Sequence, residues 1–283
     1  MIVDSHAHLI ASDATRYPPA APSATLAAGE LDNPMTVELL LADMDRQGVD
    51  RAVLVQRGSI YGYDNSYVCD CAERYPDRLV AVASINATDP RCADRVRHWV
   101  SERGAAGIRF MEPVKGADLG WLSGPVAEAA WAAAHEIDTP VCVHFFRWNR
   151  LAGLQALRDI LGRYPRLTVV IDHFSNMEVQ AGPPDHGLDG PLQSLAAFAN
   201  VNVKFTTVPL GTMNQSGLDA APVVARVVQA FGAHRVMWGS DITQSKGTYA
   251  YMVDLGRRAT RSLTDAERAQ VLGGAAARVY FKG

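Results

Sequence analysis

Ile2-Val3-Asp4-Ser5-His6-Ala7-His8 is a short apolar run that ends in His-x-His. A strand alternates its side chains with period two, so on a strand His6 and His8 point the same way. Two imidazoles on one face at a strand end can hold one metal ion; on a loop they would be two ordinary polar residues. The pattern returns three times. Val141-Cys142-Val143-His144, Val170-Ile171-Asp172-His173 and Met237-Trp238-Gly239-Ser240-Asp241 each run apolar and place His or Asp at the C-terminal end.

This recurrence organises the whole chain. Strand-like stretches fall at residues 2–5, 52–56, 79–85, 106–110, 140–144, 168–172, 201–205 and 235–239. Helix-like stretches lie between and after them at 36–47, 67–75, 91–102, 125–136, 151–163, 191–199, 222–231 and 249–260. Strands alternating with helices in this way predict a single α/β domain over residues 1–283, a (β/α)8 TIM barrel. Two further helical pieces, 264–272 and 275–280, trail the last unit. No linker, charge block, low-complexity tract or internal repeat divides the chain. The strands are apolar on nearly every residue, as parallel strands buried on both faces require. Helices stop at Arg46-Gln47-Gly48, Arg74-Tyr75-Pro76, Glu102-Arg103-Gly104 and Arg163-Tyr164-Pro165, where a basic residue precedes Gly or Pro. Two long segments, 17–34 after the first strand and 174–190 after the sixth, are expected over the C-terminal mouth, as covers or as inert decoration.

Composition narrows the class. The net charge is −3, the pI is about 6.2 and no Lys/Arg block occurs. This points to a small-molecule substrate and away from nucleic acid or an anionic membrane. The first residues read as a barrel strand rather than a signal peptide, and no apolar stretch is long enough to span a bilayer. Cys69, Cys71, Cys92 and Cys142 are expected to be reduced thiols of a cytoplasmic protein. The oligomeric state stays open, a homo-oligomer included.

In such a barrel the C-terminal strand ends converge on one mouth, where active sites sit. His6 and His8 end the first strand, His144 the fifth, His173 the sixth and Asp241 the eighth. Neutral imidazoles and a carboxylate are the ligand types of Zn²⁺ and similar ions, and a bound ion lowers the pKa of a coordinated water. Asp241 could both ligate and accept a proton; His173 could polarise a carbonyl.

Seven segments also carry a family likeness. They are Asp4-Ser5-His6-Ala7-His8, Gly107-Ile108-Arg109, Val143-His144, Asp172-His173, Asn202-Val203-Lys204-Phe205, Arg235-Val236-Met237-Trp238-Gly239-Ser240-Asp241 and the tail Leu272-Gly273-Gly274-Ala275-Ala276-Ala277-Arg278-Val279-Tyr280. In this order they resemble the amidohydrolase superfamily over essentially the whole chain. The likeness is to the metal-dependent hydrolase branch of sugar lactonases and pyrone-dicarboxylate lactonase, which neighbours a branch of aromatic-acid decarboxylases. The resemblance implies a (β/α)8 fold, a metal at His6, His8, His144 and Asp241, and a catalytic role for His173; one divalent ion, Zn²⁺ or Mn²⁺, is expected, with Asp241 catalytic as well as a ligand. It implies hydrolysis of a cyclic ester, the lactone of a sugar acid or of a small carboxylated compound.

The chain departs from the binuclear members, which carry a modified bridging lysine at the fourth strand. Here that strand end reads Ile108-Arg109-Phe110-Met111-Glu112, with Lys115 further on. Glu112 is an imperfect substitute, so one metal is expected rather than two. Some lactonases of the branch work without metal and lack the fifth-strand histidine, whereas this chain has His144. Arg109, Arg147 and Lys204 lie near strand ends and could bind a substrate carboxylate, or serve as ordinary ion pairs. Tyr61, Tyr63 and Trp148 are mouth walls or loop anchors. His98, His135 and His234 fall outside the mouth, and His186 sits in the loop after the sixth strand. Two alternatives to the lactonase remain: a non-oxidative decarboxylase, and an inactive binding or scaffold barrel. The full set of four histidines and Asp241 argues for an enzyme.

Overall fold

The computed structural model describes residues 1–20, 31–32 and 34–281. Eight strands run β1 (Val3–Ala7), β2 (Arg51–Val55), β3 (Leu79–Ser84), β4 (Gly107–Met111), β5 (Val141–His144), β6 (Val169–Ile171), β7 (Val201–Phe205) and β8 (Val236–Trp238). Each pairs in parallel with the next, in chain order from β1 to β8. Helices such as Val37–Gln47, Pro125–Glu136, Arg150–Arg163, Ala220–Phe231 and Tyr249–Ala259 cross between them. The chain is a (β/α)8 TIM barrel, as its alternation of elements predicts.

Side-chain alternation sorts the strands into two cores. On β2, Ala52 and Leu54 belong to the large core under the helices, whereas Val53 and Val55 point to the barrel axis. The axial core holds Val3, Val53, Val55, Val82, Cys142, Val170 and Met237. Its lower end is plugged by the last helix, Ala275–Tyr280. The Tyr280 hydroxyl lies 2.8 Å from Cys142 Sγ. Gly107 leaves room for this plug, since a Cβ there would sit 3.2 Å from the Tyr280 ring.

Several elements differ from expectation. Residues 91–102 form a helix only over Cys92–Arg97, followed by a wider turn at His98–Glu102. The stretch 191–199 reduces to the short helix Gly190–Ser194 and a tight turn at Leu195–Ala197. An additional helix, Thr207–Gln215, follows β7. Pro209 and Gly211 hide it in the sequence, yet proline is tolerated in a first turn, where its missing N–H has no partner to lose. The Thr206 hydroxyl caps it by accepting from Val208 N at 3.3 Å. Of the long segment 17–34, residues 21–30 and 33 lie outside the described residues. Ala20 N donates to Ile60 O at 2.9 Å, which lays the start of that segment on the loop after β2. All four cysteines are buried and free, and among the described residues no helix is long and apolar enough to cross a membrane.

The barrel closes between β8 and β1 through a buried carboxylate. Asp4 Oδ1 accepts His6 N at 3.0 Å and Ser240 N at 2.8 Å, and Asp241 N donates to His6 O at 2.7 Å. The approach is tight enough that a Cβ on Gly239 would meet His6 Cβ at 2.5 Å and His6 N at 2.8 Å. Backbone cannot yield as a flexible side chain does, so Gly239→Ala should force the seam apart. We expect a loss of about 1–3 kcal/mol, the usual range for overpacking. Chemical denaturation would measure it, and an unchanged midpoint would refute the account of the seam.

Candidate active site

His6 and His8 reach the barrel axis because β1 carries a bulge. The register with β2 runs Val3↔Arg51 and Asp4↔Ala52 but then Ala7↔Leu54, so one extra residue is inserted between Asp4 and Ala7. Bulges of this kind re-aim side chains. Val3 is axial, whereas Ala7 and Leu9 face the helices. The parity has flipped, and His6 and His8 now point inward.

Asp241 meets them from across the seam. His6 Nε2 lies 3.6 Å and His8 Nε2 3.5 Å from Asp241 Oδ1. Ligand atoms about 2.0–2.1 Å from a tetrahedral ion stand roughly 3.3 Å apart, so these spacings fit a shared divalent cation. His6 Nε2 and Asp241 Oδ1 are buried without a hydrogen-bond partner, an expensive arrangement unless a ligand satisfies them. His8 Nδ1 lies 2.7 Å from Val55 O. A carbonyl only accepts, so Nδ1 carries the proton and Nε2 keeps its lone pair for a metal. The residues present therefore fit the ion that the sequence led us to expect.

The electrostatics agree. Burial, then the nearby Lys204 ammonium, pushes the His6 pKa well below the ordinary imidazole value. Burial and Arg109 do the same to His144. Neutral imidazoles are the form a metal requires. For Asp241, burial acts to raise the pKa, but the close approach of the His8, His173 and His6 rings holds it well below the usual carboxylate range. Ser245 Oγ donates to Asp241 Oδ2 at 2.7 Å and fixes the carboxylate.

His173 stands beside this cluster. Its ring centroid is 4.8 Å from that of His6 and 5.0 Å from that of His144. It opens a left-handed turn in which His173, Phe174, Ser175 and Asn176 all have φ near +50° (51°, 51°, 54° and 51°). Such backbone is costly for residues other than glycine and marks functional sites. Asp241, with φ 60°, shares the strain. The Thr206 hydroxyl lies 2.7 Å from His173 Nδ1; a hydroxyl donates or accepts, so it anchors either tautomer. Burial lowers the His173 pKa to about 4.

Beneath the rings lies a buried charged layer of Arg109, Asp172 and Lys204; the sequence left the two cations between substrate binding and ion pairing and gave Asp172 no role. Asp172 Oδ2 accepts Arg109 Nε at 2.8 Å, and Asp172 Oδ1 lies 3.2 Å from Lys204 Nζ. Burial alone would raise the Asp172 pKa, but Lys204 and Arg109 hold it well below the carboxylate range. Lys204 is fully buried, with Nζ 3.3 Å from His6 Nδ1. The signal for Asp172 was its place directly before His173 at a strand end.

Above lies a cavity of about 340 Å³. His8, His144, His173, Asp241 and Arg109 form its floor and wall. Arg57, Ser59, Asn176 and Gln244 add polar groups, and Met111, Phe146 and Val208 add apolar ones. Arg57 Nη1 donates to Gln244 Oε1. His144 enters the cavity with Nδ1 unpartnered, but it stands outside the two groups of ligand atoms that lie within 4.8 Å of one another, His6/His8/Asp241 and His6/Asp172/His173.

Other expected residues lie elsewhere. Arg147 is exposed and pairs with Glu178 at 3.1 Å, outside the cavity wall. Glu112 is buried and accepts from Gly116 N and Trp148 Nε1, each at 2.8 Å, so it latches the loops after β4 and β5 together. The Tyr61 hydroxyl accepts Ala11 N at 2.8 Å and anchors a loop. His98 bonds Glu102, His135 packs on Tyr164, and His234 and His186 lie off the cavity wall.

Comparison with known proteins follows this geometry. L-fucono-1,5-lactonase of Burkholderia ambifaria is 31% identical over 294 residues, covering 98% of this chain and 94% of that protein. Among solved structures, a probable 2-pyrone-4,6-dicarboxylic acid hydrolase from Acinetobacter baumannii, with citric acid bound, superposes with a TM-score of 0.74 at 19% identity over 99% of both chains. The 2,6-dihydroxybenzoate decarboxylase from Rhizobium gives 0.68 at 14% identity, covering 99% of this chain and 98% of that one. A family model described as amidohydrolase matches residues 3–282. Nearly complete as that match is, and joined by a full-length relative above 30% identity, it makes the chain a member of the amidohydrolase family.

Proposed function

We propose that this protein is a metal-dependent lactonase that opens the ring of a sugar-acid lactone. The observation that carries the reading is the convergence of His6 Nε2, His8 Nε2 and Asp241 Oδ1 on one point at the floor of a polar cavity, with His6 Nε2 and Asp241 Oδ1 left without a hydrogen-bond partner from within the protein. The nearly full-length likeness to an L-fucono-1,5-lactonase supports the substrate class. A divalent ion, Zn²⁺ or Mn²⁺, would be held by His6, His8 and Asp241 with His144 as a further ligand, and when bound it supplies Lewis acidity and a lowered water pKa.

The chain's own groups divide the remaining work. Asp241 takes a proton from the attacking water, with the Ser245 hydroxyl orienting its carboxylate. When the Thr206 hydroxyl donates to His173 Nδ1, Nε2 carries the ring proton and, turned from the Arg109 guanidinium 3.5 Å away, donates to the carbonyl oxygen as negative charge develops there. The water oxygen bonds to the ring carbonyl carbon and the ring C–O bond breaks. Asp241 returns its proton to the departing ring oxygen, and the product is a hydroxy acid.

Two guanidiniums, Arg57 and Arg109, line the cavity, each already bonded within the protein, to Gln244 and to Asp172, and this favours a hydroxylated lactone over a polycarboxylated one. Lys204 is sealed under the floor beside Asp172, Arg109 gives Nε to the same carboxylate, and Arg147 pairs with Glu178 on the surface. Arg57, Gln244, Asn176 and Ser59 present donors and acceptors suited to hydroxyls, and Met111, Phe146 and Val208 face the C–H surface of the ring.

Three outcomes are expected. His6→Ala and Asp241→Ala should each lose the metal, read by elemental analysis, together with turnover; full activity of either in chelator would place the chain among metal-independent lactonases. His173→Asn should keep the metal and lower kcat by about 10²–10³-fold, the usual effect of removing one oxyanion donor. Product analysis over a panel of sugar lactones and aromatic acids should show ring opening without gas release. CO₂ from an acid, with no action on any lactone, would overturn the assignment in favour of decarboxylation.

A further inference from the structure

A second cleft lies between the loop after β2, the loop after β3 and the helix Cys92–Arg97. Its volume is about 370 Å³, against 340 Å³ for the catalytic cavity, and the two share no lining residue. Two aromatic rings wall it. Trp99 is buried, with the Arg103 guanidinium 5.7 Å from its ring centroid, and Tyr63 is half exposed. Burial pushes the Tyr63 phenol up, so it remains a donor.

The polar groups around these rings hold unused capacity. Asp64 Oδ1 accepts Ser66 N and Oγ, and Asp89 Oδ1 accepts Arg91 N and pairs with Arg91 Nε at 3.7 Å, but among the described residues neither Oδ2 receives a hydrogen bond. Asn86 spends Oδ1 on Thr88, leaving its amide N–H₂ open to the cleft. Arg95 lines the cleft without an ion-pair partner among the described residues. The cleft therefore offers two aromatic rings, two half-free carboxylates as acceptors, and guanidinium, amide and phenol donors. Two carboxylates oppose an anion and Arg95 opposes a cation. A ligand with hydroxyls that both donate and accept, spread around a ring with C–H faces, satisfies all of them.

From this chemistry we propose that the cleft is an accessory binding site for a neutral pyranose sugar. It stands apart from the catalytic reading, because none of its groups enters the proposed hydrolysis. The test is calorimetric and NMR titration of the full chain with D-glucose, D-galactose and L-fucose. At least one should bind with a dissociation constant on the order of 1–10 mM. Arg95→Ala and Tyr63→Ala, both at exposed positions, should each weaken that binding by about tenfold, the loss of one good contact. Arg95→Ala should leave lactone turnover unchanged, and Trp99→Phe should abolish any sugar-induced change in indole fluorescence. Binding that survives both Arg95→Ala and Tyr63→Ala would overturn the proposal, as would competition between the sugar and a lactone substrate. Absence of binding for all three sugars at about 50 mM would do the same.

Discussion

The carboxylate of Asp4 is the constraint on which this barrel depends. A carboxylate taken wholly out of water is costly unless hydrogen bonds replace the lost solvent. Asp4 is fully buried, and burial pushes its pKa up against the hydrogen bonds it accepts from Ser240 and His6. The bond from Ser240 ties the first strand to the chain leaving the last. Three candidate metal ligands lie within four residues of the tie, two on one side of the seam and one on the other. Closing the sheet and assembling the site are therefore one event.

A second requirement is met below the rings. Asp172 stands between Arg109 and Lys204 with all three buried. Removing one member of a buried ionic group typically costs about 3–5 kcal/mol, because the others lose their compensation. The two cations keep Asp172 ionised and oppose protonation of the neighbouring imidazoles. Burial and these cations together keep the histidines in the neutral form a metal requires, and of the layer only Arg109 reaches the cavity wall.

The barrel was legible because parallel strands buried on both faces are apolar throughout, and because His or Asp closed four of them. The convergence of His6, His8, His173 and Asp241 was legible for the same reason. The β1 bulge was not, since no residue type announces it, and simple alternation placed both histidines on one face without saying which. On β7, Val201, Val203 and Phe205 face the helices and leave Lys204 axial. That parity is present in the sequence, but where both faces are apolar nothing distinguishes inside from outside. Arg147 lies beyond the end of β5, where a loop rather than the pleat decides direction. The helix Thr207–Gln215 was masked by Pro209 and Gly211, and the role of Glu112 depends on an indole from another loop.

The left-handed turn that begins at His173 bears on how such a site could be moved. Each non-glycine residue in that conformation gives up about 1–2 kcal/mol relative to its right-handed alternative, and His173, Phe174, Ser175 and Asn176 adopt it in succession. No local preference selects it; the surrounding barrel imposes it, with Phe174 fully buried against Phe205 and Asn176 Nδ2 bonded to Phe145 O. Grafting the histidines and Asp241 onto another eight-stranded scaffold would carry over the ligands but not the orientation of the imidazole beside them. A transplant would have to bring the turn and its buried supports as one piece.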